Sequence, residues 1–407
     1  MSIRKLENFI IMINVKVNII KKLELNYMNR ATNTLKISNY DKFKCIAGKC
    51  RFTCCEGWDV NIDADIYSKW EKEKFDYILD NVKTKKGKGK KEYFVNKKTE
   101  EVCPFLDKQG LCNIVKSNGE ESLPLTCHVF PRLESIFEDR KELSLSCACP
   151  EVVEIISSMD GKINMSLENG TDLKSNSSEL KIREILVNLL QQENFSLEHK
   201  MMIGFQMLST ILENESFSKD DLLEEIEKYN DREYIKHGID MYKEIELNVN
   251  ESIEEINYLF LDITQNYKEV PIFKPMLTDI SNYAQDIEIA NICAKWYNYK
   301  DLLKQYDNFI ENCIVSKILS SCTSKDVEEF TVSFQMIMLE YLLVRYAGFM
   351  KYCIDKKKEI NIEDIKDYIV AFSRIIENNT EAVLEFFREG FGDVLIEMGY
   401  LCFITLF

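Results

Sequence analysis

The sequence predicts a mainly α-helical protein, in which a small, irregular, cysteine-rich α+β domain with short hairpins precedes an all-α helical domain. Nine of the fourteen cysteines lie between Cys45 and Cys149, and four of the six prolines lie between Pro104 and Pro150. This density of thiols and prolines indicates loops and short strands that apolar packing alone would hold only weakly. After residue 178, helical patterns follow one another almost without a break, which predicts the second domain.

Shifts in composition predict the domain boundaries. Residues 160–178, with Gly161, Gly170 and several Asn and Ser residues, are typical of a linker or hairpin. The recognisable pattern begins shortly after Met28, which is therefore an alternative start to Met1. The predicted segments are a weakly ordered N-terminal extension at 1–35, a cysteine-rich metal or iron–sulfur domain at 36–160, a linker or hairpin at 161–178 and an all-helical domain at 179–407.

Charge and N-terminal composition restrict the partners. The formal net charge of −16 argues against binding of nucleic acid through its phosphates, which needs a basic surface. Lys16 interrupts the apolar run Phe9–Ile20 and no small-residue cleavage site follows, so we expect neither a signal peptide nor stable membrane insertion. We therefore expect a cytoplasmic protein, where clustered cysteines bind metal or do redox chemistry more often than they form disulfides.

The first half of the cysteine-rich domain is expected to place one helix between two strands. The piece VNIDAD alternates like a short strand, and Asp63 and Asp65 can cap a helix that runs to about Val82. The stretch KTKKGKGKK, residues 83–91, is interpreted as a solvated basic loop rather than as an anion-binding one. The following EYFVN is predicted to be a short strand.

Two hairpins are predicted in the second half of this domain. CPFLDKQGLCNI has two apolar runs around Asp-Lys-Gln-Gly, so a hairpin would bring Cys103 and Cys112 close together. RLESIFEDRKELSLSCAC is predicted to turn at 138–141. Cys147 and Cys149 are two residues apart, so in a strand they would face the same side.

The remainder is predicted to be helical. Pro150 opens a short helix, and Pro271 and Pro275 mark one linker. The predicted helices are about 179–193, 197–213, 218–229, 232–248, 251–267, 283–298, 300–320, 325–354, 361–378 and 380–405. The scattered later cysteines are interpreted as buried small apolar residues rather than ligands. They are Cys293, Cys313, Cys322, Cys353 and Cys402.

The clustered cysteines are the candidates for chemistry. Four thiolates bind either tetrahedral zinc or an iron–sulfur cluster, so nine cysteines allow one centre with spare thiols, or a cluster and a zinc ion. Structural cysteines and disulfides are the competing interpretations. His128 could bind metal or hydrogen-bond to a ligand, although a hydrogen-bonded structural histidine is favoured. Arg132 could neutralise an anionic cluster or bind a carboxylate.

The cysteine-rich stretch resembles the zinc- or iron-chelating CxxCxxCC family, and within it the flagellin lysine-N-methylase branch. The resemblance is carried by FKCIAGKCRFTCCEGWDVNID, by CPFLDKQGLCNIVKSNGEESLPLTCHVFPR and by SLSCACPEVVEII, which span Cys45 to about Ile156. His128 stands where the family often has Arg, and the first four cysteines are spaced more loosely than in the generic family. The helical remainder carries no motif that tests the resemblance.

This resemblance implies an enzyme that methylates lysine side chains of flagellin with S-adenosylmethionine as methyl donor. It implies a cysteine-bound centre, with a [4Fe–4S] cluster favoured over zinc. Cys147 is a weaker ninth candidate ligand. The metal-site candidates are Cys45, Cys50, Cys54, Cys55, Cys103, Cys112, Cys127 and Cys149.

The residues that bind the donor and perform catalysis carry no signal in the sequence. The Gly-rich nucleotide loops, the HExxH zinc motif and the GxSxG nucleophile motif are all missing from it. A cleft between the two domains is the expected place for the active site. The alternative function is a non-enzymatic metal or iron–sulfur module with a helical partner-binding domain, and a disulfide-rich exported protein is a third possibility.

Overall fold

The computed structural model confirms a mainly α-helical protein with a small α/β region near its N-terminus. It describes residues 33–56, 60–86, 91–97, 102–167, 177–214, 217–244, 246, 248–356 and 359–378. The described strands are β1 (Asn33–Ile37), β2 (Asn61–Ile62), β3 (Val82–Lys86), β4 (Lys91–Val95), β5 (Arg132–Ile136), β6 (Arg140–Leu145) and β7 (Met165–Leu167).

A four-stranded sheet in the order β5-β6-β1-β7 joins the beginning and the end of the cysteine-rich region. β1 pairs with β6 in parallel and with β7 antiparallel, and it buries Leu35 and Ile37. Residues 33–35, assigned to a weakly ordered extension, are therefore part of a strand, because β1 is paired on both of its edges. Residues 1–32 of that extension lie outside the described part.

A three-stranded antiparallel sheet in the order β2-β4-β3 forms the second, smaller layer. The Asp63 side chain caps the helix after β2 as predicted, accepting a hydrogen bond from the Ile66 amide at 3.0 Å. The prediction that this helix runs to Val82 is wrong. It ends at Glu73, because Lys74 takes a left-handed conformation with φ 57° that terminates the helix.

The basic stretch 83–91 was predicted to be a loop, and this is wrong for both of its ends. Its flanks belong to β3 and β4, which pair from Val82↔Val95 to Lys86↔Lys91. Lysine side chains are accommodated on a strand that has one face in water, so the lysines of this basic stretch extend the β3–β4 hairpin. The four residues 87–90 between the strands lie outside the described part. The EYFVN strand is confirmed as most of β4.

The two predicted hairpins have different outcomes. Arg132–Leu145 is a hairpin, with Ile136↔Lys141 as the last pair before a turn at 137–139. CPFLDKQGLCNI contains one isolated bridge, Leu106↔Cys112, and Gly110 at φ 74° makes the turn. The piece is therefore a tight loop, because Asn113 already begins a helix. Cys147 and Cys149 lie in a turn after β6, so their predicted strand placement is wrong.

The described helices follow the predicted order with two corrections. The predicted helix 283–298 is divided between two helices. Pro275, which was predicted to lie in a linker, is in the first turn of one of them, where a backbone amide has no partner within the helix and proline is tolerated. The predicted helix 380–405 lies outside the described residues. The helices are α1 (Ala64–Glu73), α2 (Asp76–Leu79), α3 (Asn113–Asn118), α4 (Leu125–Val129), α5 (Pro150–Ser157), α6 (Ser178–Leu190), α7 (Leu197–Glu213), α8 (Lys219–Glu227), α9 (Arg232–Lys243), α10 (Val249–Gln265), α11 (Lys274–Asp286), α12 (Cys293–Leu303), α13 (Asp307–Ser321), α14 (Val327–Asp355) and α15 (Ile362–Asn378).

Two hydrophobic cores result. We call the cluster around Trp70 the small core, and the cluster around α14 the main core. The main core also takes in Ile37 and Leu145 of the four-stranded sheet, so it crosses the predicted domain boundary, and the division into domains stays a prediction. Across the described segments, every helix is too short or too polar to span a membrane.

The later cysteines lie mostly where the sequence placed them. The side chains that the structure buries are Cys313, Cys322 and Cys353. Cys293 is half-buried, and its thiol lies 2.6 Å from the Asn250 side-chain oxygen. Cys402 lies outside the described residues. The three buried thiols therefore pack as small apolar side chains within the main core.

Candidate metal centre

The eight predicted ligands fall into two groups on either side of one arginine. The five-thiol group adjoins the small core and consists of Cys54, Cys55, Cys103, Cys112 and Cys127. The three-thiol group adjoins the main core and consists of Cys45, Cys50 and Cys149. Within each group the thiols are close enough to influence one another electrostatically.

Backbone pairing brings the members of the five-thiol group together from distant parts of the chain. The Cys103 amide donates to the Cys55 carbonyl at 2.9 Å, next to the bridge between Glu56 and Val102. Cys127 lies on α4, whose first amide, that of Leu125, donates to the Asp63 carboxylate at 2.9 Å. Asp63 thus caps α1 with one oxygen and anchors α4 with the other.

The thiols of Cys54, Cys55 and Cys103 form a hydrogen-bonded row with Cys55 in the middle. Hydrogen bonds from Cys103 and Cys54 lower the pKa of Cys55 to about 3, and Lys97 adds to this effect. The same bonds, together with burial, raise the pKa of the two outer thiols. Burial raises the pKa of Cys127 to about 12. Cys54 and Cys55 are adjacent in sequence but their thiols still meet, so both can serve one site.

The three-thiol group is built from a tight loop and a helix start. The Cys50 thiol donates to the Phe52 carbonyl at 3.1 Å, and the Ala47 amide lies 3.4 Å from the Cys45 sulfur. Cys149 directly precedes Pro150, which begins α5. Burial raises the pKa of Cys149 to about 11. A thiophilic ion would therefore have to displace a proton from this thiol.

Arg374 of α15 lies between the two groups and is completely buried. Its guanidinium donates to the carbonyls of Ala148 at 2.9 Å, Thr53 at 3.0 Å and Phe52 at 2.8 Å. The positive charge of this guanidinium lowers the pKa of the Cys50, Cys54 and Cys149 thiols, and so partly offsets the rise in pKa that burial causes. One side chain from the helical domain therefore connects both cysteine loops.

Sequence reasoning missed Arg374. The signal was present, since it is one arginine in the apolar stretch IVAFSRII of an amphipathic helix. An arginine that a helix buries needs acceptors, so such a position points to a polar partner elsewhere in the fold. The sequence does not say that the partners are three carbonyl groups some two to three hundred residues away.

The other candidates take different places. Arg132 lies over the Phe43 ring, 4.9 Å from its centroid, rather than against a thiol group. His128 is exposed on α4. Cys147 is buried away from both groups, with its thiol directed to the Cys313 carbonyl at 3.9 Å.

The donor set fits a thiophilic metal in its chemistry, since thiolates and buried thiols are the ligands of zinc and of iron–sulfur clusters. As the side chains stand, no group of three or more Cys, His, Asp or Glu in the described residues is placed to hold a metal ion. The thiols would have to turn toward a shared centre. Metal binding by the eight cysteines therefore stays a prediction.

Fold and site together define a protein in which a thiol-rich α+β region is packed onto an all-helical domain. The family model of the FliB lysine N-methylase C-terminal domain matches residues 183–404, more than half of the chain. The chain therefore belongs to this family, and the resemblance to the flagellin lysine-N-methylase branch is confirmed. The match falls on the helical part, where the sequence alone offered no motif.

Curated relatives agree with this assignment over a shorter stretch. The chain is 32% identical over 121 residues to a lysine-N-methylase of Salmonella typhimurium and 32% identical over 120 residues to one of Salmonella choleraesuis. Each match covers 28% of this chain, and the chain spans 30% of the length of these two relatives. The flagellar biosynthetic protein FliU of Salmonella muenchen is 32% identical over 120 residues, which cover 28% of this chain and 70% of FliU. No solved structure matches the chain.

Proposed function

We propose that this protein methylates lysine side chains of flagellin, with S-adenosylmethionine as the methyl donor. The observation that carries the proposal is the family match over residues 183–404. The names of the relatives, lysine-N-methylase and flagellar biosynthetic protein, support lysine as acceptor and a flagellar protein as substrate. The acidic chain, with its net charge of −16, suits a substrate that presents lysines.

Methyl transfer to lysine sets requirements for the site. The amine must lose its proton before its lone pair attacks the methyl carbon, and the carbon–sulfur bond of the sulfonium then breaks as the carbon–nitrogen bond forms. Reaction needs the two partners in line at about 3 Å, so the protein must hold both and exclude water.

We further propose that the clustered thiols hold an iron–sulfur or zinc centre. The five-thiol group, built onto the small core, offers the larger donor set, and the three-thiol group offers a second one. A bound centre would cross-link loops that the small core holds weakly, and as an iron–sulfur cluster it would also supply an electron-transfer group. Arg374 would offset the negative charge of the bound thiolates, and its guanidinium lies over the buried Phe52 ring, 5.5 Å from the ring centroid.

The test is a methylation assay on the full chain, purified without oxygen and reconstituted with iron and sulfide or with zinc. We expect mass spectrometry to find methyl groups on flagellin lysines only when S-adenosylmethionine is present. Elemental analysis and visible absorption of the same sample identify the centre. A metal-loaded protein that transfers no methyl group, under both reducing and non-reducing conditions, would refute the enzyme and leave a metal-binding module.

A matched pair of variants tests the ligand assignment. Cys55→Ala removes the middle thiol of the five-thiol group, whereas Cys322→Ala removes a buried thiol of the main core. We expect the first variant to lose bound metal and the second to keep it. Equal metal content in the two variants would show that the five-thiol group is not the site.

A further inference from the structure

A cavity of about 240 Å³ opens between the start of α7 and the start of α13. Lys162, just after α5, lines one side, residues 192–197 between α6 and α7 line another, and the first turns of α13 line a third. Asn308 on this wall also donates to the Met159 carbonyl at 3.4 Å, which connects α13 to the end of the cysteine-rich region. The cavity therefore belongs mainly to the helical part, and Lys162 comes from the predicted linker at 161–178.

The floor of the cavity is an ion triplet in which Glu311 and Lys200 are buried and Lys162 is exposed. Glu311 of α13 accepts from the Lys162 ammonium with one oxygen and from the Lys200 ammonium with the other, both at 2.6 Å. Lys162 also donates to the Gln191 carbonyl at 3.1 Å, and Lys200 to the Gln192 carbonyl at 3.2 Å. Both Glu311 oxygens are bonded to ammonium groups. The charge of Glu311 is therefore already compensated, and the triplet fixes the shape of the floor.

Asp307 at the mouth of the cavity differs from this satisfied floor. Its carboxylate is solvent-accessible, lies one turn before Glu311, and has no hydrogen-bond or ion-pair partner among the residues that the structure describes. Partial desolvation by the surrounding walls and the nearby Glu198 charge raise the pKa of Asp307 to about 6, while Lys200 and Lys304 oppose the shift. Acidic residues are common in the first turn of a helix, but that position alone favours the charged form and would lower the pKa.

The lining of the cavity selects for a cation with an apolar stem. Its carboxylates are Glu193, Asp307 and Glu311, and its ammonium groups are Lys162 and Lys200, so one negative charge remains in excess. Phe195 and Leu197 supply an apolar wall. An alkylammonium ion would compensate Asp307 and cover that wall at the same time.

We propose that this cavity binds the side chain of a substrate lysine, with its ammonium group against Asp307 and its methylene groups against Phe195 and Leu197. The choice of lysine among alkylammonium ligands rests on the proposed function. The carboxylate favours the protonated amine, so Asp307 acts in capture and orientation of the lysine. Loss of the proton before methyl transfer is a separate step.

The experiment measures binding of Nα-acetyl-lysine methylamide to the full metal-loaded chain by titration calorimetry, without any methyl donor. We expect Asp307→Asn to weaken binding by about tenfold, because a charge-assisted contact is replaced by a neutral one. Asp262→Asn is the matched control, since it removes the same charge from an exposed position on α10. Circular dichroism and thermal unfolding establish that both variants are folded.

The outcomes separate this inference from the proposed function. Binding of the probe that falls with Asp307→Asn and persists with Asp262→Asn supports the site, even if no methyl group is ever transferred to flagellin. Absence of binding to the unaltered chain, or equal binding by both variants, overturns it. So does a methylating enzyme in which Asp307→Asn leaves the KM for flagellin unchanged. Under that result the proposed function stands and the acceptor site lies elsewhere.

Discussion

The small core and the main core of this molecule obtain their order in different ways. The small core has nine buried apolar side chains among the described residues, taken from short strands, short helices and loops. The main core is built around α14, a helix of 29 residues that is buried along most of its length. A core as small as the small core gains little stabilising free energy from apolar burial, so it depends on additional links. Arg374 is one such link, and the proposed metal centre would be a second.

The substitution with the largest expected effect removes Arg374, the side chain that connects the two cysteine loops. Arg374→Leu leaves three buried carbonyl groups without their donor, and we expect it to lower the free energy of unfolding by about 5 kcal/mol. The loss should appear first as rapid amide exchange in residues 45–56 and 146–149. Arg374→Lys keeps the charge but not the planar set of donors, so it should recover only part of the loss. Uniform destabilisation of all helices, with the loops still protected, would contradict the role given to this residue.

Two tryptophans allow the same substitution in each core. Trp70 is fully buried in the small core and donates to the Ser122 carbonyl at 3.0 Å, and Trp296 is buried in the main core. Truncation of either to alanine should cost about 4 kcal/mol. Hydrogen exchange should show Trp70→Ala opening only the small core and Trp296→Ala lowering the stability of the helical domain as a whole. If both variants unfold the same residues, the two cores are one cooperative unit.

The main core also holds charge, and one of its carboxylates gives a pH-dependent prediction. Burial alone would raise the pKa of Glu198, but Arg345 at 3.4 Å and the Tyr341 hydroxyl at 2.8 Å outweigh it and lower the pKa to about 2. The depressed pKa stabilises the fold above the ordinary value of 4.5, and this stabilisation is lost as the pH falls toward 2. Glu198→Gln should therefore cost about 3 kcal/mol at pH 7 and nearly nothing at pH 2.

Urea unfolding at a series of pH values measures this effect. Glu193→Gln, at an exposed position in the connection that precedes α7, serves as the control and should change stability little at any pH. A cost for Glu198→Gln that is independent of pH would mean that the charge of Glu198 is not what stabilises this part of the main core.

The smallest expected effect concerns the assembly of the small core. Asp63→Ala removes the cap of α1 and the acceptor for the Leu125 amide, so we expect a loss of about 1.5 kcal/mol. Asp63→Asn keeps one acceptor oxygen and turns its NH2 group toward the other backbone amide, so it should recover at most about half of the loss. Thermal unfolding followed in the tryptophan near-ultraviolet signal would detect the change. Full recovery with Asn would show that only one of the two hydrogen bonds stabilises the small core.

Local patterns predicted most of the helical domain. The helix Leu197–Glu213 and the bounds of α14 and α15 follow from apolar periodicity and capping residues, which act over a few residues. The errors lie where a distant contact decided the outcome. The sequence predicts that Pro275 lies in a linker, although it lies in the first turn of a helix. It also predicts that the basic stretch 83–91 is a loop, although the pairing of β3 with β4 places both ends of this stretch in strands.

For the site, the sequence by itself determined which residue types could take part. The density of cysteines between residues 45 and 149 pointed to nine thiols, and the resemblance implied both the family and the eight candidate ligands. Only the tertiary structure divided those thiols into a group of five and a group of three, placed Arg374 between them, and brought Asp307 to a cavity beside Lys200. The physical reason is distance along the chain. A pattern of neighbours can specify a helix, a turn or a thiol, but contacts between residues hundreds of positions apart exist only after the cores have formed.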